Sequence, residues 1–518
     1  MAAHVWVRPT GAVPDHGRLQ SEEERQLNLG VPVRKVGASR FPLARARAVR
    51  VSGQPASGHL PAKFSKAALL AIGFLAAPAS AQVIAAERST AYENAVAAGY
   101  KALALCEGVI AAGRTEAQVD ALELRGIYSE YQPLLPKLKA TIDRRARSVL
   151  VSFSSDLPPR RADWAPGVGC VLSPIGANSR LWPAGAWRGQ LPAPADARPW
   201  PLGDAGISPR PSPALGATID KAFDRSTYKG ETVGLIVMRD GRILGERYAA
   251  GFGPFVANRT WSVAKSIAGT LVGIAVQDHG IDTTKPAAIP EWRVSGDPRR
   301  NITLDQLLRM SSGLHSDHYG NRTDAIYFGG TTVTEQAAGW PLEVKPGTRF
   351  RYANNDIMLA ARAVRAAMNN DKRYAAWPQR LFAPLGMQHT TAGTDWQGNF
   401  VLSSQVYTTA RDLARLGQFW LQDGVWQGKR LLPAGWIRYM TTPSGPQPAD
   451  GPGYGATMWL FGPKQGLPVG TYSAQGNRGQ YVMVVPSRKL VIVRRGEDTA
   501  NGRFDIARFT ADVIRDLQ

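Results

Sequence analysis

Two hydrophobic periods run along this 518-residue chain and divide it into regions. Over residues 85–125 apolar positions, mostly alanine, recur at helical spacing, and a break near Gly113-Arg114 splits them into two predicted helices. Residues 148–154 and 169–172 are short and strand-like. A proline-rich tract over 182–213 reads as a linker or a strap across the surface. Beyond it, the apolar runs 233–238 and 243–248 flank Asp240-Gly241 and predict a β-hairpin. Helical patterns dominate from about 283 to 398. Strand-like runs return at 454–461, 472–475, 481–486 and 490–494, and an amphipathic helix is predicted over 505–517. Strands at both ends with helices between them predict an α/β chain of the α+β kind. Its mainly antiparallel sheet is flanked by helices, with an inserted all-helical lobe at about 283–398. The expected division is an N-terminal extension over 82–213 and a second unit over 214–518, without an internal repeat.

The stretch before residue 82 has its own pattern. Lys63 and Lys66 precede an apolar run over 67–77 that ends in Ala79-Ser80-Ala81. This is the anatomy of a secretory signal over 60–81, with cleavage before Gln82 and a periplasmic or secreted product. The run is too short to span a bilayer comfortably, so no stable membrane span is expected after cleavage. Signals begin at an N-terminus, so residues 1–59 are expected to be disordered or an over-extended reading frame. Translation would then start near Val51 or Leu60 from a non-ATG codon, since no methionine lies between Met1 and Met238. The competing reading is a cytoplasmic protein with a buried apolar helix here.

Charge narrows the partners. Residues 1–81 hold 11 Lys/Arg against 4 Asp/Glu, a net of +7 out of the chain's +21. The remainder is scattered arginine without a basic block or interleaved aromatics, which excludes nucleic acid as the expected partner. A small-molecule substrate is expected instead, and the oligomeric state stays open.

Candidate chemistry concentrates in the nearly uncharged run over 258–277. Ser262 and Lys265 stand one helical turn apart at its mouth, on one face of the predicted helix. Serine needs an adjacent base to become a nucleophile, and a lysine half-buried against Ile267 and Leu271 is expected to lose its proton readily. The Ser262 N–H, at the positive end of the helix dipole, is a candidate oxyanion donor. A second Ser-x-x-Lys, Ser226 to Lys229, sits in a polar stretch with nothing to desolvate it and reads as a solvated loop. Downstream, Tyr352 is positioned to relay a proton if Lys265 lies near, and Asn354 to hold that lysine and a substrate carbonyl. The turn Gly476-Asn477-Arg478-Gly479-Gln480 then leads into an apolar strand. There Gly479 lets substrate approach backbone closely, and the Gln480 N–H is the candidate second oxyanion donor.

The order Ser-x-x-Lys, Tyr-x-Asn and a glycine-ended strand turn resembles the penicillin-recognising serine hydrolases, whose third motif is Lys-Thr-Gly or His-x-Gly. TWSVAKS (260–266), ITLDQLLRMSSGL (302–314), PGTRFRYANND (346–356) and the run 403–436 are similar to one branch of them. That branch, related to class C β-lactamases, holds family VIII esterases and 6-aminohexanoate-dimer hydrolases. The likeness covers roughly 224–518 and implies a β-lactamase/transpeptidase-like fold and a cofactor-free serine hydrolase. It matches Ser262 to the acylated serine, Lys265 to its base, Tyr352 to the second base and Asn354 to its polar partner. It matches Tyr319 to a cleft tyrosine that touches substrate. One departure concerns specificity. Asn477 stands where β-lactamases carry lysine and many esterases histidine, which argues against efficient β-lactam turnover unless Arg478 faces inward in its place. Ester and amide substrates stay equally open. The rivals are a D-amino-acid peptidase, a weak β-lactamase and a non-catalytic envelope scaffold.

Two cysteines, Cys106 and Cys170, form one disulfide in an oxidising compartment or remain two buried thiols otherwise. His315, Asp317 and His318 tempt a metal reading, but their spacing is not helical, so no metal site is expected and the cluster reads as cleft rim.

Overall fold

The computed structural model describes residues 79–183, 195–316, 323–500 and 502–518. The expected signal over 60–78, the segment 1–59, Asp317, His318 and Tyr319 therefore lie outside the described residues. The chain divides at residue 90, and of the unit over 28–90 only the beginning of a helix, Ala79–Leu105, is described. Residues 91–518 belong to the other unit.

The centre of that larger unit is a seven-stranded sheet, antiparallel throughout. The order is Gly453–Tyr454, Trp459–Phe461, Thr471–Gly476, Gln480–Val485, Leu490–Gly496, Thr232–Arg239 and Arg242–Tyr248. Segments more than 250 positions apart meet where Leu490–Gly496 pairs with Thr232–Arg239. Asp240 and Gly241 both take positive φ, 49° and 75°, as a two-residue primed turn requires, so the predicted hairpin closes there.

Helix Val263–His279 is buried at every position from Val263 to Ala275, which explains its nearly uncharged sequence. Its glycines admit close neighbours: a Cβ on Gly273 would collide with the Trp436 ring. Helix Ala410–Leu421 lies across the sheet, with Gly417 against Val482 and Val491. The stretch over 283–398 is less regular than its pattern predicts. It holds helices Leu304–Leu308, Asn354–Met368, Asp371–Ala375 and Gln379–Leu385, the first two far apart in the chain, and strand Thr391–Ala392. Glycines and prolines at 330, 339, 341, 346 and 347 interrupt the helical runs.

The extension is not a separate body. Its helix passes into a π-helical turn, Cys106–Ala111, and a four-stranded sheet covers 140–172. Cys106 and Cys170 are joined by a disulfide between them. Val96, Tyr100, Tyr128 and Leu172 belong to the same apolar core as Trp261, Ile267 and Val482. Buried Arg160 donates to Ala95 O and Phe328 O, both at 2.7 Å, and Tyr131 Oη donates to Asp324 at 2.8 Å. Carbonyls of the proline-rich strap, Pro201 O and Gly203 O, accept from Arg415 at 2.7 Å.

Candidate active site

Ser262 is the N-cap of helix Val263–His279, and Lys265 lies one turn further on. The segment before them is held rigidly. Asn258–Arg259 pairs with Val406–Thr408, and Thr260 N donates to Val406 O at 2.8 Å. The buried Arg495 guanidinium binds Asn258 O, Arg259 O and Thr408 O at 2.8, 3.0 and 2.7 Å. Trp261 takes φ 51°, a conformation costly for a bulky residue, while the Arg259 guanidinium lies 3.9 Å over its ring. That strained link turns the chain from strand to helix and presents the Ser262 hydroxyl.

Lys265 is only 1% exposed. The neighbours of its Nζ include Ser262 Oγ at 2.8 Å, Asn354 Oδ1 at 2.7 Å and Ser403 O at 3.0 Å. Two of these are carbonyls, which only accept; the third is a hydroxyl, which can also donate. The Tyr352 ring lies with its centroid 4.7 Å from Nζ, braced by Trp459 at 5.4 Å and Tyr454 at 6.0 Å. Ser262, Lys265, Tyr352 and Asn354 therefore meet in one place. The control copy does not: Ser226 and Lys229 are both exposed on a loop.

Residues absent from the motif reading complete the shell. Ser403 contributes its carbonyl to Lys265 and its hydroxyl to Tyr327 Oη, 2.6 Å away. A backbone carbonyl leaves no side-chain signature, so sequence reasoning had nothing to find. Asp356, on the first turn of helix Asn354–Met368, accepts from Ser312 Oγ at 2.8 Å. Full burial pushes its carboxyl up to about 7, and it braces the turn below Asn354.

The third motif needs correcting in three respects. A Cβ built on Gly476 would lie 3.0 Å from Ser262 N, so Gly476 at the end of Thr471–Gly476 is the glycine against the serine. Gly479 instead faces the Arg494–Asp498 pair: an added Cβ would strike Arg494 and come within 2.8 Å of Asp498 Cγ. Gln480 starts the next strand, opposite Gly476, with its side chain buried; Nε2 donates to Gly496 O at 2.5 Å and Oε1 accepts from Arg495 Nε at 2.7 Å. Arg478 does not face substrate. Its guanidinium pairs with Glu497 at 3.0 Å and donates to Leu122 O at 2.8 Å and Glu497 O at 2.9 Å. The motif alone does not separate these residues, because glycines stand on both sides of Asn477-Arg478 and only tertiary contact tells which one meets the serine.

Of the tempting histidine cluster, His315 is described and bonds to Glu343. Among the described residues, no three His, Cys, Asp or Glu side chains are grouped as metal ligands, and no helix is long and apolar enough to cross a membrane.

Residues 219–512 match the family Beta-lactamase. The 6-aminohexanoate-dimer hydrolase of Paenarthrobacter ureafaciens is 27% identical over 295 residues, 51% of this chain and 72% of that protein. A solved family VIII carboxylesterase is 16% identical, with 99% of its chain and 60% of this one covered and a TM-score of 0.47. A penicillin-binding protein homologue from Caulobacter crescentus is also 16% identical, with 97% and 59% covered and the same TM-score of 0.47.

Proposed function

The chain belongs to the Beta-lactamase family of serine hydrolases, and from that premise we propose that it cleaves ester or amide bonds through an acyl-enzyme on Ser262. The observation that carries this reading is the 2.8 Å approach of Lys265 Nζ to Ser262 Oγ, both residues being buried. In the proposed cycle the neutral lysine takes the hydroxyl proton as Oγ bonds to the substrate carbonyl carbon. The developing oxyanion sits at the positive end of helix Val263–His279, against the Ser262 N–H. The second donor is the Asn477 N–H, the peptide unit that follows Gly476. Lys265 or Tyr352 then hands the proton to the leaving oxygen or nitrogen. Water, activated by the same pair, releases the acid and regenerates the hydroxyl.

The similarity to a 6-aminohexanoate-dimer hydrolase supports extending the substrate range from esters to linear amides. A periplasmic or secreted location is part of the proposal, supported by the Cys106–Cys170 disulfide and the signal-like pattern over 60–81. The test is hydrolysis of p-nitrophenyl butyrate with Ser262→Ala as control, together with fluorophosphonate labelling read by mass spectrometry. The expected result is turnover abolished in the variant and a single adduct on Ser262. An adduct on Ser226, or equal turnover by both proteins, would overturn it.

A further inference from the structure

Arg259 closes the two-residue strand that leads to the reacting serine, and its side chain reaches two parts of the site at once. Toward the serine, its guanidinium carbon lies 3.9 Å from the centroid of the Trp261 ring, on the residue held at φ 51°. Toward the lysine, Nη2 donates to Ser404 Oγ at 2.6 Å and Nε donates to Ser404 O at 3.3 Å. Ser404 follows Ser403, whose carbonyl accepts from Lys265 Nζ at 3.0 Å. One guanidinium therefore bridges the link that delivers the nucleophile and the turn that holds its base, across 145 positions of sequence.

Arginine suits this double hold because its flat group stacks on a ring by its face and donates hydrogen bonds from its edge. Arg259 and Ser404 are both buried, so water competes little for the bonds between them. The turn has a second hold, since Tyr327 Oη and Ser403 Oγ are hydrogen-bonded at 2.6 Å and the Tyr327 ring lies 5.2 Å from the guanidinium carbon. Backbone pairing fixes the base of the arginine: residue 259 faces Tyr407, and its carbonyl accepts from Arg495 at 3.0 Å. The extension adds Tyr128, packed on Trp261 at 6.4 Å and on Phe328 at 5.5 Å between ring centroids. An apolar side chain would fill the same space without the desolvation cost of a buried cation, so the directed bonds to Ser404 are what set arginine apart here.

We propose that Arg259 is a positioning residue for acylation: by gripping Trp261 on one side and the 403–404 turn on the other, it sets the approach of Lys265 Nζ to Ser262 Oγ. It acts through these neighbours and touches no reacting atom. The inference rests on the acyl-enzyme reading of Ser262.

The test separates the rate of reaction from the amount of competent protein. The full-length protein and its variants are titrated with a fluorophosphonate, and both the second-order labelling rate of Ser262 and the labelled fraction at completion are recorded. Loss of folding support lowers the fraction, whereas loss of positioning lowers the rate. Arg259→Met keeps length and bulk and is expected to label about 10²-fold more slowly with an unchanged final fraction, the scale of a misplacement of about 1 Å. Its kcat/KM for p-nitrophenyl butyrate should fall in parallel. Arg259→Lys keeps the charge without the flat fork and recovers part of the loss. Ser404→Ala, which removes one acceptor hydroxyl, is expected to label about tenfold more slowly, and in the Arg259→Met background it should add less than that, because both changes break one contact. Labelling of Arg259→Met at the wild-type rate, a lower final fraction at an unchanged rate, or strict additivity in the double variant overturns the positioning role alone. Should Arg259→Met not fold, Ser404→Ala decides, and an unchanged labelling rate there overturns the role. Failure of fluorophosphonate to label Ser262 in the wild-type protein overturns the acyl-enzyme reading and the positioning role with it.

Discussion

Gly476 and Ser262 touch across the site: a methyl group on the first would lie 3.0 Å from the backbone nitrogen of the second and collide with Thr260 O. Gly476→Ala therefore pushes the turn away from the serine and widens the proposed oxyanion hole. We expect kcat for p-nitrophenyl butyrate to fall about 10²-fold, the scale of losing one oxyanion donor. Gly479→Ala strains a left-handed position and strikes the Arg494–Asp498 pair, so it should lower thermal stability more than Gly476→Ala does. Equal effects of the two substitutions on both measurements would contradict this assignment.

Lys265 is packed among oxygen partners, so its replacement separates proton transfer from folding. Lys265→Met keeps the length and apolar bulk of the stem. The expected outcome is a loss in kcat of about 10²–10⁴-fold, the usual weight of a general base. Circular dichroism and the unfolding midpoint should stay close to wild type. A variant that keeps most of its turnover would remove Lys265 from the mechanism.

The Arg478–Glu497 pair ties the extension to the turn beside the serine, with both side chains almost fully buried. Arg478→Met alone strands a buried carboxylate and is expected to cost about 3–5 kcal/mol in urea unfolding. Arg478→Met with Glu497→Met removes both charges and should recover most of that loss. Strict additivity of the two single substitutions would show that the pair is not coupled.

Stability should depend on pH through buried carboxyls. Burial pushes Asp356 and Glu107 up to about 7, against ordinary values near 4. The folded protein thus binds these protons more tightly than the unfolded chain. Their stabilising contribution is full below about pH 4 and is lost as pH rises toward 7. The unfolding midpoint should therefore drop between pH 5 and pH 8. In Glu107→Gln, which keeps a side-chain oxygen able to accept from Cys170 N–H, the drop should shrink by about 2 °C. A midpoint that rises over this interval equally in both proteins would refute the sign.

Much of the architecture could be read in advance because its signals are local. Asp240-Gly241 announces a hairpin by the backbone angles it tolerates. The apolar pattern of 263–275, broken by one charged residue, announces a largely buried helix. The serine–lysine pair was legible for the same reason, since helical spacing alone sets its geometry. Other features depend on contacts between distant segments. Ser403 acts through a carbonyl that any residue would supply, and whether Arg478 faces inward is decided by Leu122 O and Glu497, which hold it away. The irregular course of 283–398 follows from glycines and prolines whose local bends are set by tertiary packing.

Arg259 sits under Trp261 in a nest of rings that includes Tyr327 and Phe328, while Tyr100 and Tyr128 of the extension close the far side of that nest. The family match begins at residue 219, yet the folding unit reaches well before it. A recombinant fragment trimmed at the edge of that match would open this aromatic roof to water, directly behind the residue that delivers the serine. Anyone preparing this protein should regard the segment that carries the roof as enzyme, and should express it where its sulfur crosslink can form.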